Sequence, residues 1–202
     1  GVHIADVSYY VRPNSEIDKE AYSRGTSIYL VDRTIPMLPE KLCNELCSLK
    51  PNEEKLCYSA VFDLDDNAKV HKEWFGRTVI NSNRRFTYEE AQEIIESQSG
   101  ELAEEILNVH NLSQVLRKQR FDNHAINFET EEVKFKLDEN SKPIGVYLKV
   151  QKEANFLIEE MMLLANRRVA EKIGKKSSKN KEIKTFVYRV HDEPIEDKLA
   201  TF

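Results

Sequence analysis

Residues 32–53 read DRTIPMLPEKLCNELCSLKPNE, and in this stretch three prolines stand among apolar residues that follow neither a helical nor a strand period. Pro36 and Pro39 fix their own backbone angles and bias the preceding residues toward extended geometry, which predicts a stiff extended arch over residues 35–39. Pro39 also suits the first turn of a helix, so a short helix is predicted from Pro39 to Leu46. A structured loop packed on a core is the simpler interpretation.

A second stretch, GVHIADVSYYV at residues 1–11, changes that interpretation. Together the two stretches resemble the RNB catalytic domain of the ribonuclease II and ribonuclease R family, nearest to its ribonuclease R branch. The resemblance runs from Gly1 to about Glu193. It implies a processive 3′-to-5′ exoribonuclease that hydrolyses single-stranded RNA to nucleoside monophosphates with Mg²⁺.

Two motifs of that family are not found in residues 1–202. Its Asp-rich metal-binding signature normally precedes the strand that begins at Gly1, and its Thr-Ser-Pro-Ile-Arg-Arg-Tyr block normally follows the segment that ends at Phe202. The resemblance therefore implies the central part of a single RNB-type domain, truncated at both ends and inactive alone. Its partners would be the flanking parts of that domain and OB-fold RNA-binding domains. The alternative is a non-catalytic RNA-binding segment or an inactive RNB-like protein.

The charge balance argues against a uniformly basic nucleic-acid binder. Thirty basic and 35 acidic residues give a net charge of −5, so RNA affinity must come from local patches. No apolar run approaches the roughly 20 residues that cross a bilayer, and residues 1–11 lack the features of a signal peptide, which predicts a cytoplasmic protein without membrane contact. The three cysteines are odd in number and not spaced as zinc knuckles, so we expect reduced thiols in the core.

The hydrophobic pattern predicts an α+β fold, in which a mixed, largely antiparallel sheet is covered by helices in one domain. Trp74 is expected in the core. The lysine-rich stretch from Gly174 to Glu182 is expected to be a flexible loop. The first strand is predicted at residues 2–11, with an irregularity near Asp6. Further strands are predicted at 28–31, 55–64, 69–80, 131–137, 144–150 and 183–190. Helices are predicted at 15–27, at 39–46, from Thr87 onward, at 101–120 and at 152–173.

Metal-assisted phosphodiester hydrolysis needs two or more carboxylates that converge on the ion. Asp63, Asp65 and Asp66 are close in sequence but fall on a predicted hairpin turn, which Asp favours for its own backbone hydrogen bonds. Asp6, at the end of the first strand, would lie near the family's metal-binding carboxylates by the resemblance. A turn-forming role is the alternative, and no residue of this segment is expected to bind the metal directly.

Two aromatic residues match family positions at the 3′ end of bound RNA, where a ring can stack on any base. Tyr29 matches the tyrosine that stacks there and sets the length of the final product, although sequence alone would favour a buried strand aromatic. Phe128 matches, across a one-residue gap, the phenylalanine that clamps the terminal bases from the other side.

Tyr88 and Glu159 match a pair that in the family recognises the RNA sugar near the active site. A carboxylate that accepts a hydrogen bond from a 2′-hydroxyl would be left unpaired with DNA, and this supports RNA selectivity. Glu160 is the alternative in register, and a solvent-facing Glu-Glu pair is the simpler interpretation. Arg84 and Arg85 could contact phosphates or form an exposed basic turn.

Overall fold

The computed structural model describes residues 1–126, 132–175, 185–190 and 192–193, and the chain divides into two compact units, residues 1–163 and 164–202. Each pair of strands is antiparallel, which agrees with the predicted α+β class. The strands are β1 (Val2–Ala5), β2 (Ile28–Tyr29), β3 (Thr34–Ile35), β4 (Glu54–Leu64), β5 (Val70–Asn81), β6 (Glu132–Leu137) and β7 (Pro143–Lys149). The helices are α1 (Val7–Tyr10), α2 (Glu16–Arg24), a π-helix (Lys41–Leu46), α3 (Tyr88–Ser97), α4 (Ala103–Asp122) and α5 (Glu153–Gly174).

The largest sheet has three strands in the order β1-β4-β5. Its two long strands form the predicted hairpin, in which Ala60 pairs with Phe75. Ser59 is buried in β4, and its hydroxyl is bonded by the ring of His3 from β1 and by the hydroxyl of Thr78 from β5. These bonds satisfy a buried polar group and tie all three strands together.

The predicted first strand is wrong beyond residue 5. β1 ends at Ala5, and residues 7–10 form the short helix α1. The cause is Asp6, whose Oδ1 accepts a hydrogen bond from the backbone N–H of Tyr9 and so caps the helix. The apolar alternation at Val7, Tyr9 and Val11 belongs to a helical turn and its exit instead of a strand.

The proline stretch forms a small hairpin followed by a helix of unusual pitch. Strands β2 and β3 pair with Tyr29 opposite Thr34, and the backbone N–H of Leu30 bonds to the carbonyl of Arg33 across the turn. The predicted helix at 39–46 exists, but as a π-helix over residues 41–46. The wide pitch is visible in the bond from the Cys47 N–H to the carbonyl of Leu42, five residues back.

The prediction that Trp74 lies in the core is wrong, because half of its surface is exposed. The six-membered part of the indole lies over Gly76, where an added Cβ would stand 2.5 Å from Cζ2 of Trp74. Trp74 therefore covers its own strand at a position where only glycine leaves room for the ring.

The helices α3, α4 and the first half of α5 pack against one another. α3 begins with the predicted Thr87 cap, and Thr87 and Glu90 form a reciprocal capping box. Between α3 and α5, the buried side chain of Gln92 accepts a hydrogen bond from the Ala154 N–H at 3.0 Å. This bond satisfies one of the free N–H groups in the first turn of α5.

The hairpin β6–β7 lies close to its predicted position, with Phe135 opposite Val146. Residues 185–190, predicted to be part of a strand, form none. Their polar contact goes to a helix of the same unit, because the hydroxyl of Tyr188 bonds to the carbonyl of Ala170 at 3.4 Å. Of the predicted loop 174–182, only residues 174 and 175 are described, and Gly174 ends α5.

Candidate functional site

Asp6 is held in a polar cluster at the end of β1. It is 97% buried; its Oδ1 accepts from the Ser8 hydroxyl at 2.6 Å, and its Oδ2 lies 2.9 Å from Nε of Arg77. The guanidinium of Arg77 stacks 5.1 Å from the ring centre of Tyr58. The hydrogen bond from Ser8 and the charge of Arg77 lower the pKa of Asp6 below its usual value. The turn-forming role considered for Asp6 is therefore present, together with an ion pair.

Tyr29 projects from the small β2–β3 hairpin and is 79% exposed. The expectation of a buried strand aromatic is wrong here, because both residues of each of these two short strands are exposed. Ser27 supports the hairpin, since its hydroxyl accepts from the Met37 N–H at 2.9 Å. The arrangement leaves the Tyr29 ring open for stacking.

Tyr88 is the first residue of α3 and lines a cavity of about 690 Å³. The wall is mainly apolar and comes from α3, α4 and the start of α5, including Ile106, Leu157 and Ile158. Tyr88 is half-exposed at this cavity. It also lines a smaller cavity of about 280 Å³, to whose wall Lys152 contributes as well.

The two candidate arginines differ in their surroundings. Arg84 lies 3.0 Å from Glu90 and 3.1 Å from Glu101, and its guanidinium stacks over Phe86. These two carboxylates hold it in place before the capping box of α3. Arg85 lines the larger cavity and is exposed, and no carboxylate in the described part of the chain pairs with it. Arg85 is therefore better placed than Arg84 to meet a phosphate.

Glu159 and Glu160 share one partner that the sequence does not predict, Arg120 of α4. Nη2 of Arg120 lies 2.8 Å from Oε1 of Glu159 and 2.6 Å from Oε1 of Glu160. Nε of Arg120 adds a third bond to Glu160 at 2.9 Å. Glu160 is 97% buried, whereas 42% of the Glu159 side chain is exposed. Exposure thus favours Glu159 over Glu160 as the residue that could meet a ligand.

The structure does not link the matched pair directly. Glu159 is bonded to Arg120, and no hydrogen bond joins it to Tyr88 within the described residues. The two residues are related only through the cavity wall, which contains Tyr88 and Ile158, the neighbour of Glu159. Phe128 lies outside the described residues, so Tyr29 alone of the two predicted clamp residues can be examined.

No three side chains of His, Cys, Asp or Glu come together as metal ligands in the described ranges. The described cysteines are free thiols, of which Cys57 is buried and Cys43 is exposed, so the expected core position is wrong for Cys43. Burial raises the pKa of the Cys57 thiol. Among the helices that the structure describes, none has both the length and the apolar character that a membrane span requires.

Comparison with known proteins identifies the family. A model of the RNB domain matches residues 1–202. The chain belongs to the RNB domain family. This result confirms the family indicated by residues 1–11 and 32–53.

Relatives and a solved structure agree with this membership of the RNB family. The chain is 44% identical to DIS3-like exonuclease 2 of Schizosaccharomyces pombe, over 100% of this chain and 23% of the relative. It is 36% identical to ribonuclease R 1 of Lactococcus lactis, over 100% of this chain and 25% of the relative. RNase R of Mycoplasma genitalium, solved in complex with double-stranded RNA, has a TM-score of 0.86 at 32% identity, covering 98% of this chain and 35% of that one. The RNB chain thus spans about a quarter of the length of these curated relatives.

Proposed function

We propose that this RNB chain is part of a 3′-to-5′ exoribonuclease that hydrolyses single-stranded RNA processively to nucleoside monophosphates in the cytoplasm. The observation that carries the proposal is the match of the RNB domain to residues 1–202. Relatives named as an exonuclease and as ribonuclease R align with the whole chain and support it. OB-fold RNA-binding domains are the proposed partners within the larger protein.

This segment would contribute the surface that grips and reads RNA. The exposed ring of Tyr29 can stack on a terminal base, with Phe128 on the other side of the bases. The exposed carboxylate of Glu159 can accept a hydrogen bond from a 2′-hydroxyl, with Tyr88 at the neighbouring cavity. Arg85 can neutralise a phosphate, whereas Arg84 is already paired with two carboxylates.

The proposed Mg²⁺ belongs to the whole enzyme, where it would activate water and stabilise the leaving oxygen. The residues described for this chain do not fit a magnesium site. They contain no group of three His, Cys, Asp or Glu side chains that could hold a metal ion. The carboxylate of Asp6 already accepts hydrogen bonds from Ser8 and Tyr9 and pairs with Arg77. No catalytic step is therefore assigned to a residue of this segment.

The test uses the full-length protein and a 5′-labelled single-stranded RNA. With Mg²⁺ we expect the 5′ label to pass from full-length RNA to a short end product without accumulation of intermediates, and unlabelled nucleoside monophosphates to be detected by chromatography. With EDTA we expect neither. A circular RNA of the same sequence has no 3′ end and should resist. Digestion of the circle, or shortening from the 5′ end, would contradict the proposal. Binding without any digestion would support the non-catalytic alternative.

A further inference from the structure

The guanidinium of Arg120 bonds to two neighbouring carboxylates, one of them buried and the other partly exposed. It lies in the last turn of α4 and reaches Glu159 and Glu160 on α5, about 40 positions later in the chain. Three hydrogen bonds of 2.6 to 2.9 Å join these side chains. Such short distances are typical of charge-assisted bonds, which are stronger than neutral ones.

The buried carboxylate anchors the guanidinium. Glu160 is 97% buried and receives both the Nε and the Nη2 bond, so within the described residues Arg120 compensates its negative charge. An uncompensated buried charge is costly, and this cost holds Arg120 in one orientation. The ring of Phe121, whose centre lies 5.0 Å from the guanidinium carbon, restricts Arg120 further.

The orientation of Arg120 in turn determines that of Glu159. Only Oε1 of Glu159 receives a bond from Arg120, and within the described residues no hydrogen bond reaches its Oε2. Glu159 is partly exposed, so Oε2 is left as an acceptor for a ligand. A carboxylate fixed at one oxygen loses less rotamer freedom when its other oxygen binds.

We propose that Arg120 is a positioning residue for sugar recognition: anchored by Glu160, it presents Glu159 to a 2′-hydroxyl of RNA. This inference rests on the role of Glu159 in the proposed function. Lysine is not equivalent to arginine at position 120, because an ammonium group is a point charge without the planar fork that spans two carboxylates. Arg120→Lys keeps the positive charge and removes the fixed geometry.

Arg117 offers a matched control on the same helix. Its guanidinium stacks 3.7 Å from the ring centre of Phe156 on α5 and 5.2 Å from that of Phe121. In the described part of the chain no carboxylate pairs with it. Arg117→Lys therefore makes the same chemical change between the same two helices without touching Glu159 or Glu160.

The experiment measures binding, so that it does not depend on catalysis. Dissociation constants are determined in EDTA for a single-stranded RNA and for DNA of the same sequence, with full-length wild-type protein and its variants. One charge-assisted hydrogen bond corresponds to about tenfold in affinity, so Glu159→Gln should lower the RNA-over-DNA ratio by about that factor. Arg120→Lys should lower this ratio nearly as much. Combining Glu159→Gln with Arg120→Lys should lower it no further than Glu159→Gln alone. Arg117→Lys should leave it unchanged.

Three results separate the possible failures. An Arg120→Lys variant that keeps the wild-type ratio, or loses RNA and DNA affinity equally, would overturn the inference while Glu159 keeps its proposed role. A wild-type protein without RNA preference would overturn both. A clear preference that depends on Arg120 in a protein that digests no RNA would support the inference and contradict the nuclease proposal. If Arg120→Lys does not fold, Glu160→Gln weakens the same anchor and should give an intermediate ratio.

Discussion

At the scale of single residues, Asp6 shows how one carboxylate can have two structural roles, as a helix cap and in an ion pair. The sequence predicts it at the end of a strand, either near a metal site or in a turn. Its Oδ1 caps α1 and its Oδ2 pairs with Arg77. The cap explains why the apolar alternation of residues 7–11 does not continue as a strand. Proximity of Asp6 to a metal site stays a prediction.

The lowered pKa of Asp6 predicts a pH-dependent stability. The hydrogen bond from Ser8 and the charge of Arg77 favour the ionised form in the folded state. The resulting stabilisation is present above the ordinary pKa of 3.8 and is lost as the pH falls through the lower folded value. Asp6→Asn should therefore reduce the melting temperature at pH 7, and the difference from wild type should shrink below pH 4. Thermal melts from pH 3 to 7 measure this.

A matched change at Asp63 controls for general charge effects. Asp63 is exposed and lies 3.9 Å from Lys72, and among the described residues it neither caps a helix nor has a buried partner. Asp63→Asn should change the melting temperature little at any pH. A difference between Asp6→Asn and wild type that stays constant down to pH 3 would argue against the ionised cap.

Gly76 carries a second prediction at this scale, because it gives room to the ring of Trp74. Gly76→Ala should push the indole away from the sheet and lower the free energy of unfolding by about 1 kcal/mol. Tryptophan emission should shift to longer wavelength as the ring becomes more exposed, and a fluorescence spectrum measures it. Gly145→Ala is the control, since nothing lies within 4 Å of the position of its added Cβ. Equal spectra for both variants would contradict the packing described for Trp74.

At the scale of elements, the sequence predicted those helices and hairpins that are specified by neighbouring residues, such as a capping residue or a strand alternation. The cap at Thr87 and the alternation in β4 and β5 needed only neighbouring residues. The position of the π-helix was predicted, but its wide pitch was not. Prolines indicate where a helix begins, and they do not indicate the spacing of its backbone hydrogen bonds. The exposure of Tyr29 and Trp74 was missed, since the strand pattern does not say which face another layer covers.

The link between α4 and α5 leads to a stability prediction. Glu160→Ala would leave Arg120 with one carboxylate and should lower the free energy of unfolding by about 3 kcal/mol. Glu159→Ala removes a partly exposed partner and should cost less than about 1 kcal/mol. Urea unfolding of the two variants measures the difference. Equal losses would show that Glu160 does not anchor Arg120 as described.

At the scale of the whole molecule, residues 1–11 and 32–53 were sufficient to identify the RNB family over residues 1–202. The contacts that shape the candidate surface were not predictable in the same way. Arg120 and Glu160 are 40 residues apart in sequence, and no local sequence pattern predicts the contact between them. A long amphipathic helix with a Glu-Glu pair is ordinary in sequence, and only its packing against α4 separates a buried Glu160 from an exposed Glu159.

The length of the final RNA product tests most directly whether this chain grips the 3′ end of RNA. A 5′-labelled RNA is digested to completion by the full-length protein, by Tyr29→Ala and by Tyr22→Ala. Tyr22, on α2, is 90% exposed and serves as a control for the loss of an exposed tyrosine. Tyr29→Ala should still degrade RNA but stop at a longer product, while wild type and Tyr22→Ala stop at the same shorter one. Identical products from all three proteins would contradict the placement of Tyr29 at the RNA end.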